Sequence, residues 1–213
     1  FLQEEDLHVS ILIDTSKSMN WGEPNKGLYT RRVAAALAYI GLINFDRVSL
    51  YTYADGLQYE LAGIRGRRWM HKVIEFLGEI EYDGASNLPA AGKQFAIRHP
   101  QPGIVLILSD FFEKGGCDAG LRYLLGRNYD VYALHVLSPE EIDPVLAGDL
   151  RLTDVEDDDV AEITVSRALL NRYKQTLQAY CESIKDYCTR RGMNYLFTST
   201  QAPFDQIVLS YFR

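Results

Sequence analysis

The sequence predicts an α/β fold: a three-layer, doubly wound, mostly parallel sheet with one antiparallel edge strand and an inserted β-hairpin. Two observations carry this. Short apolar runs, His8 to Asp14, Asp46 to Tyr53, Gly103 to Ser109 and Asp130 to Leu137, alternate with longer segments of helical periodicity. The run from Gly103 to Ser109 is almost wholly apolar, as a central parallel strand covered on both faces must be. At 213 residues the chain is read as one domain over 1–213, with the hairpin, about 148–166, as its elaboration. A chain of this size buries roughly 70% of its unfolded surface, so its core needs no staples.

The elements follow in order. His8 to Ile13 is a buried strand that stops at Asp14. Asn20 to Tyr29 is a loop rich in turn formers, Gly22, Pro24, Asn25 and Gly27, and Thr30 reads as the N-cap of a helix from Arg31 to Ile43. After the strand Asp46 to Tyr53, Asp55-Gly56 signals a hairpin that returns Leu57 to Leu61 as the antiparallel edge. Val73, Ile74, Leu77 and Ile80 give Arg68 to Ile80 a helical spacing. A turn over Asp83 to Asn87 leads into a helix beginning near Leu88-Pro89, where Pro suits the first turn. Gly115-Gly116 breaks the chain before a helix to Arg127. Leu150 to Thr153 and Glu162 to Val165 flank an acidic turn, Asp154 to Asp159, and read as the exposed hairpin. Ser166 opens a long helix to about Arg191; Leu170, Tyr173, Leu177, Tyr180, Ile184, Tyr187 and Cys188 share one face, and this stripe reads as core packing. Asn194 to Ser199 is the last strand and Pro203 to Phe212 the last helix.

Composition narrows the function. Hydrophobic residues make up 47% and charged residues 24%, ordinary globular values. A net charge of -7 argues against a nucleic-acid surface, which needs clustered Lys and Arg, and suits a site that collects a cation. Cys117, Cys181 and Cys188 form no framework: the last two lie about 10 Å apart along a helix, beyond the roughly 7 Å that a disulfide spans. All three read as reduced and mostly buried, which favours the cytoplasm. The apolar stretch Val33 to Phe45 falls short of the roughly 20 residues a bilayer demands, and no signal peptide is visible. The chain opens at Phe1, a few residues before a central strand, as a fragment would. The missing membrane segment therefore speaks only for these residues.

The chemistry gathers at the end of the first strand. In open α/β sheets ligands bind beyond the carboxyl ends of the strands, and there Asp14, Ser16 and Ser18 place three oxygen-bearing side chains at alternate positions of one loop. Such a set can converge on one hard cation. The pattern Asp14-x-Ser16-x-Ser18 resembles the metal-ion-dependent adhesion site (MIDAS) of von Willebrand factor A-type domains. Two further segments match that family in order: Asp83-Gly84-Ala85-Ser86-Asn87-Leu88, and Ile104 to Ser109 closed by Asp110. The resemblance implies a metal set of Asp14, Ser16, Ser18, Ser86 and Asp110, with Ser86 where the family usually has threonine. It implies Mg2+, or Mn2+ or Ca2+, held mostly by neutral hydroxyls, so that a partner's Asp or Glu completes the shell. Trp21, Phe111 and Phe112 are candidates for an apolar rim, or for packing in core and loop.

From Glu4 onward the chain is also similar to a bacterial and archaeal branch with a von Willebrand A-like core, domain-of-unknown-function family 58. The carrying segments are His135-Val136-Leu137-Ser138-Pro139-Glu140-Glu141, Gly148-Asp149-Leu150-Arg151-Leu152, and the Leu169-to-Arg191 helix with Gly192-Met193-Asn194-Tyr195. Members of that branch are often encoded beside MoxR-type AAA+ ATPases, which implies an adaptor role toward such a partner. Against these stand plainer readings: Ser86 or Asn87 as a helix cap, Asp110 as a turn residue, His135 as a satisfied core histidine, and Asp157-Asp158-Asp159 as a solvated turn. The enzyme alternative is metal-assisted phosphoester hydrolysis at the same strand end. It lacks a second carboxylate, position 16 being Ser. There is no Gly-x-Ser-x-Gly elbow and no phosphate-cradling glycine loop. The expected function is thus a non-enzymatic, metal-dependent interaction module.

Overall fold

A computed structural model describes residues 7–146, 148–153 and 160–211. The acidic turn read at Asp154 to Asp159 lies outside them, as does Phe212. Strand β1 (His8–Asp14) leads through a 3-10 turn at Lys17–Met19 into helix α1 (Lys26–Ile43), then β2 (Arg47–Tyr53) and β3 (Leu57–Ile64). A second 3-10 turn, Arg67–Trp69, precedes α2 (Met70–Gly78) and α3 (Leu88–Arg98). Next come β4 (Gly103–Ser109), α4 (Asp118–Leu125), β5 (Tyr129–Leu137) and the short α5 (Pro139–Ile142). The chain continues with β6 (Gly148–Thr153), β7 (Val160–Val165), α6 (Arg167–Thr189), β8 (Asn194–Ser199) and α7 (Phe204–Tyr211).

The main sheet has six strands in the order β3-β2-β1-β4-β5-β8. All neighbours run parallel except β3, which pairs antiparallel with β2 at the edge. The predicted fold class is therefore the observed one, and β6 and β7 form the separate antiparallel hairpin. Alternation along each strand sends side chains to two apolar layers. Ile11, Ile13, Leu50 and Leu108 pack with Val33, Leu37 and Leu42 of α1 and with Val73 and Leu77 of α2. Leu12, Tyr51, Val105 and Ile107 pack with Leu88 and Phe95 of α3, Leu121 and Leu124 of α4, and Ile184 and Cys188 of α6. The chain winds outward from β1 to β3, then crosses back to β4, so the strand order reverses between β1 and β4. That is the topological switch point, and both strands end there side by side, Ile13 opposite Leu108.

Several sequence expectations need correction. Helix α1 starts at Lys26, not Arg31, because Asn25 is the cap and its side chain accepts from Leu28 N at 3.0 Å. Thr30 lies inside the helix, its hydroxyl donating back to the carbonyls of Lys26 and Gly27. The first turn of the helix expected from Arg68 is 3-10, and α2 ends at Gly78 rather than Ile80. Helix α5 was not foreseen; Ser138 and Glu141 close it with a reciprocal capping box. The face of α6 expected as core packing is only partly so. Ile184 and Cys188 are buried, while Tyr173 remains exposed and the tyrosines act through their hydroxyls. Tyr173 donates to Glu141 O, Tyr180 to Phe111 O and Tyr187 to Asp118 O. Cys117 and Cys188 are buried and Cys181 half-buried, all as free thiols. Among the described residues no helix is long and apolar enough to cross a membrane.

Candidate metal centre

The turn that leaves β1 folds over its own aspartate. Asp14 is fully buried, and its Oδ1 accepts from Ser16 N at 2.9 Å and from Ser16 Oγ at 2.7 Å. Ser16 Oγ lies 3.1 Å from Ser18 Oγ. The second carboxylate oxygen, Oδ2, accepts from Ser109 Oγ at 2.6 Å and from Ser86 Oγ at 2.9 Å. Backbone bonds clip the Ser86 turn onto this loop: Lys17 N donates to Gly84 O at 3.0 Å and Asp83 N to Thr15 O at 3.0 Å. Gly84 turns the chain at a φ of 79°, a conformation that costs glycine little. Asn87 caps α3, its side chain accepting from Ala90 N, while Ser86 faces Asp14. The capping and site readings thus fall on different residues.

Asp110 follows Ser109 and is also fully buried. Its Oδ1 accepts from Phe112 N at 3.0 Å, and its Oδ2 takes the ammonium of Lys26 at 2.6 Å. Lys26, the first residue of α1, also reaches Glu141 Oε1 at 2.6 Å and has no exposed side-chain surface. Burial alone would lower the Lys26 pKa, but the charges of Asp110 and Glu141 outweigh it and raise it, so the proton is retained. The Asp14 carboxyl is pushed above its ordinary range by burial first, then by the charge of Asp110, with the hydrogen bonds from Ser109 and Ser16 opposing. Glu113 completes the cluster, its Oε1 accepting from Leu88 N and lying 3.3 Å from Ser86 Oγ.

The structure thus brings Asp14, Ser16, Ser18 and Ser86 into one hydrogen-bonded group, with Asp110 adjoining it through Ser109. The rim candidates divide. Trp21 is 52% exposed on the loop before α1. Phe112 is half-buried and stacked on Tyr180, ring centroids 5.9 Å apart. Phe111 is a correction: at 1% exposure, with its ring edge-on to His135 at 5.5 Å, it is core and unavailable as a rim contact. Ser109, Lys26, Glu113 and Glu141 belong to the cluster and escaped the sequence reading. The pattern Ser138-Pro139-Glu140-Glu141 was legible as a capping box, which fixes one partner of Lys26. Asn25 as a cap would have moved Lys26 from the loop into the first turn of α1.

The donor set suits a hard divalent cation. It is oxygen throughout, two carboxylates and three hydroxyls, with both carboxylates buried and the charge of Asp110 bearing on Asp14. Tyr53, opposite Asp14 in the sheet register, carries a buried hydroxyl with no hydrogen-bond partner among the described residues, a polar atom left open beside the cluster. Among the described residues no three His, Cys, Asp or Glu side chains gather as a metal cage, so direct contacts would fall on serine hydroxyls.

The chain is similar to known proteins in family and in fold. Residues 1–197 match the family described as protein of unknown function DUF58. The crystal structure of an aerotolerance-related membrane protein from Bacteroides fragilis is similar at a TM-score of 0.62 and 17% identity, covering 96% of each chain. The conserved hypothetical protein BatB from Bacteroides thetaiotaomicron is similar at 0.56 and 16%, covering 96% of this chain and 97% of that one. The pilus adhesin SpaC from Lactobacillus rhamnosus GG is similar at 0.59 and 11%, covering 98% of this chain and 30% of the adhesin. No curated protein matches the chain in sequence.

Proposed function

Because the chain belongs to the DUF58 family and carries a von Willebrand A-like fold, we propose that it is a protein–protein interaction module whose site holds a divalent cation for the capture of a partner's carboxylate. One observation supports this above the others: hydroxyls from the β1 loop and from the Ser86 turn converge on the buried carboxylate of Asp14 at the switch point of the sheet. Mg2+, Mn2+ or Ca2+ bound there, among mainly neutral oxygens, would keep most of its charge and offer a coordination position to an incoming Asp or Glu. The chain's own residues do the rest. Ser16, Ser18 and Ser86 present hydroxyl oxygens, and Asp14 orients two of them by accepting their hydrogen bonds. Asp110 adds negative charge behind the loop, and Trp21 extends an exposed aromatic surface beyond it. The family resemblance nominates a MoxR-type AAA+ ATPase as the partner, with this domain as its adaptor.

Phosphoester hydrolysis at the same strand end is the weaker reading. Both oxygens of Asp14 are already hydrogen-bonded, and Ser16 stands where a general acid would be required. Thermal unfolding in rising Mg2+ or Mn2+ tests the proposal. Above the dissociation constant, each tenfold rise in ion should add about 1.4 kcal/mol of stability. Asp14→Ala/Asp110→Ala should abolish the shift. No shift in the native chain, or an equal one in the double variant, would overturn the reading. Co-purification of an ATPase partner should be lost in chelator.

A further inference from the structure

We propose that Lys26 is a built-in counter-cation that weakens the grip of the site on its divalent ion and keeps that grip reversible. The inference rests on the metal-binding reading above and adds to it the residue that sets affinity. The ammonium lies 2.6 Å from Asp110 Oδ2 and 2.6 Å from Glu141 Oε1, wholly out of solvent. Neither partner is free to turn away. Glu141 is held by its Oε2, which accepts from Ser138 N at 2.7 Å in the capping box of α5. Asp110 is held by Phe112 N at its other oxygen. Phe112 closes one side, its ring centroid 5.8 Å from Nζ.

This geometry has an electrostatic consequence. Asp14 and Asp110 are the two acidic members of the candidate site, and the charge of Asp110 bears on Asp14 inside the protein. Lys26 sits on Asp110 at hydrogen-bond distance in a medium that screens poorly, so it cancels much of that carboxylate's pull on anything placed near Asp14. A site of neutral hydroxyls with one effective carboxylate binds a divalent cation weakly. Such a site depends on the partner's carboxylate to complete the neutralisation, which links ion retention to partner capture. Lys26 touches neither the hydroxyls nor the solvent, so it acts through Asp110 as a positioning residue.

Mn2+ affinity, measured by calorimetric titration of the chain and its variants, is the test. Lys26→Met/Glu141→Gln removes the ammonium and one of its two carboxylates, so that a single acid is left unpaired, and should bind Mn2+ about tenfold or more tightly than the native chain. Glu141→Gln alone leaves the ammonium wholly on Asp110 and should bind more weakly. Lys17→Met removes one ammonium from the exposed side of the β1 loop with no compensating carboxylate, and should still change affinity less than about twofold. Equal or weaker binding by a folded Lys26→Met/Glu141→Gln overturns the inference. If that variant does not fold, unchanged or tighter binding by Glu141→Gln overturns it. If the native chain binds Mn2+ and the Lys26 variant only matches it, the metal reading stands and this inference falls. If the native chain binds none and the Lys26 variant does, the ammonium takes the place of the ion instead of loosening it, and both readings fall as stated. If no variant binds, both fall.

Discussion

Asp14 accepts hydrogen bonds from Ser16 N, Ser16 Oγ, Ser86 Oγ and Ser109 Oγ while shut away from water. Of these donors, Ser109 makes the shortest contact and holds the end of β4 as well, since its hydroxyl accepts from Phe111 N at 2.8 Å. Ser109→Ala removes a hydrogen bond to a buried charge and leaves the Phe111 amide unpaired. It should lower stability by about 1.5–3 kcal/mol, read as a shift in the urea midpoint with an unchanged slope. An unmoved midpoint would show that the bond to Asp14 adds nothing. Ser109 also marks where the sequence ceased to be readable. Asp14, Ser16 and Ser18 were legible because they alternate along one loop, and Ser86 and Asp110 because a family pattern supplies their spacing. Ser109 is the terminal residue of an apolar strand. Only the parallel register of β1 with β4, Ile13 opposite Leu108, brings it beside Asp14. Lys26 was hidden by a local misreading, the helix start at Thr30, and its partners come from two other strand ends.

Two elements show how packing follows from residue size. Helices α3 and α4 cross at glycines. A methyl group on Gly120 would lie 2.7 Å from the Leu88 carbonyl carbon, and one on Gly92 would lie 2.8 Å from the Gly120 carbonyl oxygen. The Leu88 side chain, whose Cγ would lie 2.6 Å from the Gly120 methyl, can yield, but these backbone atoms cannot rotate aside. Gly120→Ala, although it favours helix in an isolated peptide, should therefore destabilise the protein by about 1–3 kcal/mol through enforced separation of the helices. A raised melting temperature would refute the close contact. Helix α6 illustrates the opposite case, in which large side chains span a gap. Its tyrosines at 173, 180 and 187 donate to carbonyls at Glu141, Phe111 and Asp118, so the helix straps the turns that follow β4 and β5. Helical periodicity correctly put these residues on one face. Periodicity carries no information on whether a tyrosine is enclosed or reaches across with its hydroxyl, and so the stripe was taken for core. The parallel strands were read to within a residue, because apolar runs bounded by turn formers are local signals, whereas the antiparallel β3 runs three residues past its expected end at Leu61, and β6 and β7 each begin two residues before their expected starts. Helix starts depend on a single capping side chain: Ser166 marked that of α6, whereas taking Thr30 instead of Asn25 put the start of α1 five residues late.

At the scale of the whole molecule, the buried groups give stability a dependence on pH whose sign can be worked out. His135 lies near the carboxyl end of β5, enclosed by Phe111, Phe112, Tyr195 and Phe197, with Nδ1 2.8 Å from the Tyr195 hydroxyl. Burial, with Lys26 assisting and Asp110 opposing, brings its pKa from 6.5 to about 4. Well above pH 6.5 neither the native nor the unfolded chain holds a proton on this ring, and it contributes nothing to the slope there. Between 6.5 and 4 the unfolded chain takes up a proton that the native chain refuses, so stability falls as pH falls. The loss approaches about 3 kcal/mol near pH 4 and is about 2 kcal/mol by pH 5. His99, also held below its ordinary pKa chiefly by burial, adds in the same direction. Asp14 opposes: its carboxyl is raised, so the native chain takes that proton before the unfolded one does and gains stability on acidification. A comparison of variants separates these contributions. His135→Gln retains a polar group for Tyr195 and cannot titrate, while His99 and Asp14 are unchanged. In urea titrations with chelator present, the native chain should lose about 2 kcal/mol more than His135→Gln between pH 7 and pH 5. Parallel profiles for the two proteins would mean that the β5 histidine is accessible to protons, and that the dry interior assigned to this end of the sheet is wet.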